Sequence, residues 1–161
     1  MAVLICAALS GCTRDEPDPV DTTSTSYMFD NIFNPCRQMP QQFLDNHLLK
    51  KEPKGINNLI EGYVSLGCSY TGPEYDFVIE VSNSPLGVIP SGDPHRYQET
   101  RIAGRAAKIL SLPLEQRFCV LRVEMAGGTM SLAVARKVAL DPCPTLKALA
   151  EELLPQLPAG V

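Results

Sequence analysis

Apolar and polar residues alternate most cleanly in two neighbouring stretches of the chain. Over Phe118 to Met125 (FCVLRVEM), Cys119, Leu121, Val123 and Met125 fall on one side, and over Thr129 to Arg136 (TMSLAVAR), Met130, Leu132 and Val134 do the same. A period of two sends successive side chains to opposite faces of a strand, so these runs, joined by Ala126-Gly127-Gly128, predict a central hairpin. Asp76 to Ser82 (DFVIEVS) also alternates, with Phe77, Ile79 and Val81 on one face. It forms a second predicted hairpin with the strand-like run Gly62 to Tyr70 across Thr71-Gly72-Pro73. Tyr97 to Ile102 and Gly104 to Leu110 read as weaker strands with a bend at Gly104.

A helical period marks two further stretches. Phe43, Leu44, His47 and Leu48 share one face of a helix predicted from about Pro40 to Leu49, and Leu146, Leu149, Ala150, Leu153 and Leu157 share one face of a helix over Asp141 to Leu154, which Pro155 and Pro158 end. Asn34-Pro35-Cys36 and Asp141-Pro142-Cys143 repeat one signature: a capping side chain, a proline whose φ suits a first helical turn, and a cysteine. Lys50 to Asn58 is polar, contains Pro53 and Gly55, and reads as a surface loop. Ser84 to Pro94 is the longest loop signal inside the domain; its Leu86, Val88 and Ile89 are the candidate binding residues, and a flap lying on the core is the equal alternative. The order helix, strands, helix predicts an α+β two-layer sandwich, with one antiparallel sheet of about five or six strands and two helices on one face.

The start of the chain has a different grammar. Met1 to Leu9 is almost wholly apolar, small Ser10 and Gly11 precede Cys12, and a polar, proline-broken stretch follows. The run is too short to span a bilayer, which takes about 20 apolar residues. It resembles the lipobox of bacterial lipoproteins, which implies removal of residues 1–11 as a signal peptide and acylation of Cys12. Residues 12–28, rich in Pro, Asp, Ser and Thr, then form a disordered tether with little to bury, and residues 29–161 form a single domain. The expected location is the extracytoplasmic face of the cell membrane, with the membrane a partner through the lipid anchor at Cys12.

Export changes what the remaining cysteines mean. Cys36, Cys68, Cys119 and Cys143 are an even set, which in an exported domain reads as a disulfide framework with three pairings open. Cys36–Cys68 and Cys119–Cys143 are favoured, because each ties a helix start to the strand nearest in sequence; the crossed pairings stay open without geometry. No two of the four have C-x-x-C spacing and His47 and His95 are remote from all of them, so no metal is expected. His47, on an apolar stripe, reads as a packed, hydrogen-bonded residue.

Charge and motifs exclude other classes. A formal net charge of −4 offers no broad basic field, so no nucleic acid is expected as a partner, and Arg96, Arg101, Arg105 and Lys108 read as a solvated face. G-x-S-x-G, H-E-x-x-H and G-x-x-x-x-G-K-[ST] are all missing from the sequence. Ser91 to His95 merely brings Ser, Asp and His together in a turn, and Glu151-Glu152 beside Lys147 reads as a solvated helix side. The expectation is therefore no enzyme, no catalytic residues and no cofactor.

The lipobox, the tether, Asn34-Pro35-Cys36, Gly67-Cys68-Ser69-Tyr70, Gly104-Arg105-Ala106-Ala107 ahead of Cys119-Val120, and the terminal Asp141-Pro142-Cys143 helix together resemble one actinobacterial lipoprotein family, the domain of unknown function thirty-five fifty-eight. The resemblance runs from Phe29 to Leu157 and rests most on the four-cysteine layout; Tyr70 stands where that pattern has tryptophan. It implies a cell-envelope lipoprotein and brings no activity with it. Two functional expectations follow: an interaction or accessory protein presenting a surface to another envelope component, and, as the alternative, a module whose sheet and 84–94 loop enclose a lipid or other apolar ligand. An apolar cavity of several hundred cubic ångströms favours the second, and a filled core with an exposed apolar patch the first.

Overall fold

The computed structural model describes residues 33–60, 62–88, 97–111, 117–158 and 161. The signal segment, Cys12, the tether, Ile89, His95 and Arg96 lie outside the described residues.

Strand-forming alternation builds one sheet of seven strands: β1 (Lys50–Ile60), β2 (Tyr63–Thr71), β3 (Tyr75–Ser82), β4 (Tyr97–Ile102), β5 (Arg105–Ser111), β6 (Phe118–Met125) and β7 (Gly128–Arg136). Their order across the sheet is β1-β2-β3-β7-β6-β5-β4, and every neighbouring pair is antiparallel. The predicted hairpins are β2–β3 and β6–β7, and β7 is the middle strand. Ala103 and Gly104, both at positive φ (48° and 79°), make the two-residue turn between β4 and β5. That backbone twist matches the twist of the strands it joins.

The sheet has more strands than the alternation predicts, and the extra one is β1. Lys50 to Asn58, expected to be a surface loop, is an edge strand with a register shift between Lys51 and Gly55 around Pro53. An edge strand packs on one neighbour only, so it tolerates proline and needs no apolar stripe. Its side chains are accordingly exposed almost throughout.

One face of the sheet carries the core. Register sets Cys68, Ile79, Leu132, Leu121 and Ile109 in one row across five strands, with Tyr70, Phe77, Val134 and Cys119 beside it, all buried. Two helical elements accompany the sheet, α1 (Gln41–Asn46) and α2 (Cys143–Leu153), the second continued by a 3₁₀ turn over Leu154–Gln156. The Phe43 ring of α1 sits 6.0 Å from that of Phe77. Leu146, Leu149, Ala150, Leu153 and Leu157 are all buried, as the helical spacing predicts.

The helix α1 is shorter than its periodicity suggests. The chain leaves it at Asn46, and Leu48 adopts a left-handed φ of 52° with its side chain 66% exposed. Leu49, not Leu48, turns into the core.

The four cysteines stand in two pairs at bonding distance, Cys36 with Cys68 and Cys119 with Cys143, with Cα separations of 5.2 and 5.3 Å. The polar residues that open the repeated signature act as the sequence suggests. Asn34 Oδ1 accepts from the Cys36 N–H at 3.0 Å, and Asp141 Oδ1 accepts from the Cys143 N–H at 2.9 Å, so each cysteine is presented from an Asx-capped turn. Sequence separations of 32 and 24 give each cross-link about 3–4 kcal/mol in the loop-closure account.

Candidate functional site

The core face is filled by the protein's own side chains, so the chemistry left over is on the outer face. Paired residues of adjacent strands share a face. Register therefore aligns Gly67, Glu80, Ser131, Arg122, Lys108 and Glu99 in one row across β2, β3, β7, β6, β5 and β4. One step along the strands, the next row is Ser69, Val78, Ala133, Val120, Leu110 and Tyr97. A charged row thus runs beside an apolar one.

Arg122 is the unusual member. Its side chain belongs to the solvent-side face, yet the residue is only 4% exposed, because the segment after β3 folds back over it. Ser84 to Val88 closes into a turn through Val88 N–H to Pro85 O at 3.0 Å. Buried Thr129 donates to the Ser84 carbonyl at 2.6 Å, and Arg122 Nη1 donates to the Val88 carbonyl at 2.6 Å. Arg122 Nε is buried and has no acceptor among the described residues. Burial lowers the guanidinium's pKa from its ordinary value, and the nearby Tyr97, Tyr63 and Glu80 act in the other direction.

Glu80 does not neutralise this cation at contact distance. Its Oε1 accepts from the Tyr63 hydroxyl at 3.1 Å, and Ser131 occupies the register position between Glu80 and Arg122. Burial, reinforced by the Glu80 charge, raises the Tyr63 pKa.

Of the three binding-loop residues named from sequence, Leu86 is half-buried, Val88 is 53% exposed, and Ile89 lies outside the described residues. The loop was legible as a loop. Arg122 beneath it was not, because an arginine at an outward strand position ordinarily faces water, and nothing local says that a segment some 34 residues upstream covers it. The only available signal was its setting between Leu121 and Val123 in the central hairpin.

The remaining candidates are dispersed. His47 pairs with Glu152 of α2 at 2.9 Å and lies 4.8 Å from the Phe43 ring, the packed role its stripe suggests. Arg101 caps its own turn through Gly104 O at 2.9 Å, and Arg105 donates to the Val161 carbonyl. A polar cleft of about 230 Å³ lies between the Asn34–Arg37 turn and the β1–β2 ladder, lined by Arg37, Lys51, Asn57 and the Cys36–Cys68 pair. Among the described residues no group of three or more His, Cys, Asp and Glu side chains is placed to hold a metal, and no helix is long and apolar enough to cross a membrane.

No curated protein and no solved structure matches this chain. A family model does: its description is "Protein of unknown function (DUF3558)" and the match covers residues 7–156. That span takes in both cysteine pairs, all seven strands and the row around Arg122, and on its strength the chain belongs to the DUF3558 family.

Proposed function

We propose that this protein is a cell-envelope lipoprotein, held at the outer face of the cytoplasmic membrane by a lipid on Cys12, and that it acts there as a non-catalytic interaction or accessory protein. One observation carries the reading: Cys36, Cys68, Cys119 and Cys143 stand in two bonding pairs, an arrangement that persists in oxidising compartments and is rare in reducing ones. The small-residue run before Cys12 supplies the route out. Both helices are taken to cover the core face as one layer of a two-layer sandwich, on the contacts of Phe43 with Phe77 and of Cys143 with Cys119.

Interaction is favoured over enclosure of a ligand in the core. Phe77, Ile79, Leu121, Leu132 and Leu146 fill that layer with full burial, while Leu48, Val138 and Leu140 are left largely exposed. A partner-binding surface presents such side chains gathered in one contiguous patch.

Mass spectrometry of the membrane-extracted protein under non-reducing conditions tests the reading. The expected result is an N-terminal diacylglyceryl Cys12 and the linked peptides Cys36–Cys68 and Cys119–Cys143; Cys12→Ala should release the protein from the membrane fraction. An unprocessed amino end with four free thiols overturns it.

A further inference from the structure

We propose that Arg122 anchors a binding site for an aliphatic monocarboxylate on the outer face of the sheet, the acid group on the guanidinium and the chain along Leu110, Val120, Ala133 and Val78. This site is separate from the core layer and does not depend on the lipid anchor.

The first argument is the unmatched cation. A guanidinium has five N–H donors in a planar fork, and a buried charge is ordinarily paired. Among the described residues Arg122 has one acceptor, the neutral Val88 carbonyl, and Nε has none. No ion pair within 4.0 Å among the described residues includes it. A carboxylate presents two oxygens with the spacing of the fork, and such charge-assisted pairs are about twice as strong as neutral hydrogen bonds. It is therefore the group that displaces a lone carbonyl from this position.

The second argument is the row beside it. Val78, Ala133, Val120 and Leu110 lie one pleat step from the Arg122 row and are half-buried or buried, although they face away from the core. An anion alone has no use for that strip; an acyl chain does. The charge of the ligand follows from the flanks. Glu80, Glu99 and Lys108 share the Arg122 row and Glu124 lies two residues along β6, so the carboxylates around Arg122 outnumber the one further cation and a single negative charge is accepted more readily than a dianion such as a phosphate monoester.

Binding exchanges the Val88 carbonyl for a carboxylate oxygen. The Thr129–Ser84 bond still holds the start of the turn, so Leu86 and Val88 shift without the segment detaching.

The test follows the Arg122 side-chain Nε–H and the methyl groups of Leu86 and Val88 by NMR in the full chain, titrated separately with octanoate, octan-1-ol and acetate. Octanoate is expected to move these signals and to saturate at millimolar concentration or below, with octanol and acetate at least tenfold weaker. Arg122→Met should weaken octanoate at least tenfold. Should that variant fail to fold, the comparison of the three ligands on the unaltered chain decides alone. The proposal is overturned if octanoate gives no saturable shift at Arg122, if octanol or acetate binds as tightly, or if a folded Arg122→Met binds octanoate like the parent.

Discussion

A methyl group added to Gly128 would run into the carbonyl of Ser82, which is backbone and cannot swing aside. Gly128→Ala should therefore part β3 from β7 at the centre of the sheet and cost about 2–4 kcal/mol in urea unfolding. Gly87→Ala, where the added carbon meets nothing within 4 Å, should be neutral within about 0.5 kcal/mol. Tyr70 is a second residue whose environment sets its behaviour. Its hydroxyl donates to the Pro35 carbonyl at 2.6 Å, and burial pushes its pKa up to about 12 from an ordinary 10.0. Below pH 10 the phenol is neutral in both states, so its contribution is fully present; as pH climbs from 10 toward 12, the unfolded chain ionises first and stability falls. The parent should therefore lose more of its urea midpoint than Tyr70→Phe between pH 9 and pH 12. Residue identities made the cysteines, the buried strand positions and His47 readable. They could not reveal Arg122, whose isolation comes from a non-local covering.

At the level of elements, alternation found every strand with one buried face and missed the one with none. β1 carries KKEPKGINNLI, whose charges, proline and glycine are what an edge allows and also what a loop contains. The sequence cannot tell these apart without its neighbour, β2. The first helix failed for a related reason: the i, i+4 pattern runs on to Leu48, but the chain must turn into β1, and Leu48 absorbs that turn at 66% exposure. The capped turns around Asn34 and Asp141 were readable because their bonds are local. Each presents a cysteine to a strand, and replacing either pair by alanine should lower stability by about 3–4 kcal/mol, measured as the difference in urea unfolding against the intact protein. The Cys119–Cys143 replacement should also loosen α2, visible as faster amide exchange in Leu146 to Ala150.

For the molecule as a whole, the hydrophobic pattern gave the α+β class and the two hairpins, and understated the sheet at about five or six strands against the observed seven. The order β1-β2-β3-β7-β6-β5-β4 means that β1 to β3 form one meander and β4 to β7 another, joined where β3 pairs with β7. The Cys36–Cys68 cross-link belongs wholly to the first meander and its leading turn, and Cys119–Cys143 wholly to the second and its helix. Among the described residues no cross-link spans the seam, and only the main chain between β3 and β4 joins its two sides. Two polypeptides divided there, each carrying its own cystine, should reassemble into a complex on mixing, zipped along Tyr75–Ser82 and Gly128–Arg136, and should come apart in urea without any reductant. The fold thus offers a ready-made split protein, whose complementation would report directly on the strength of its central ladder.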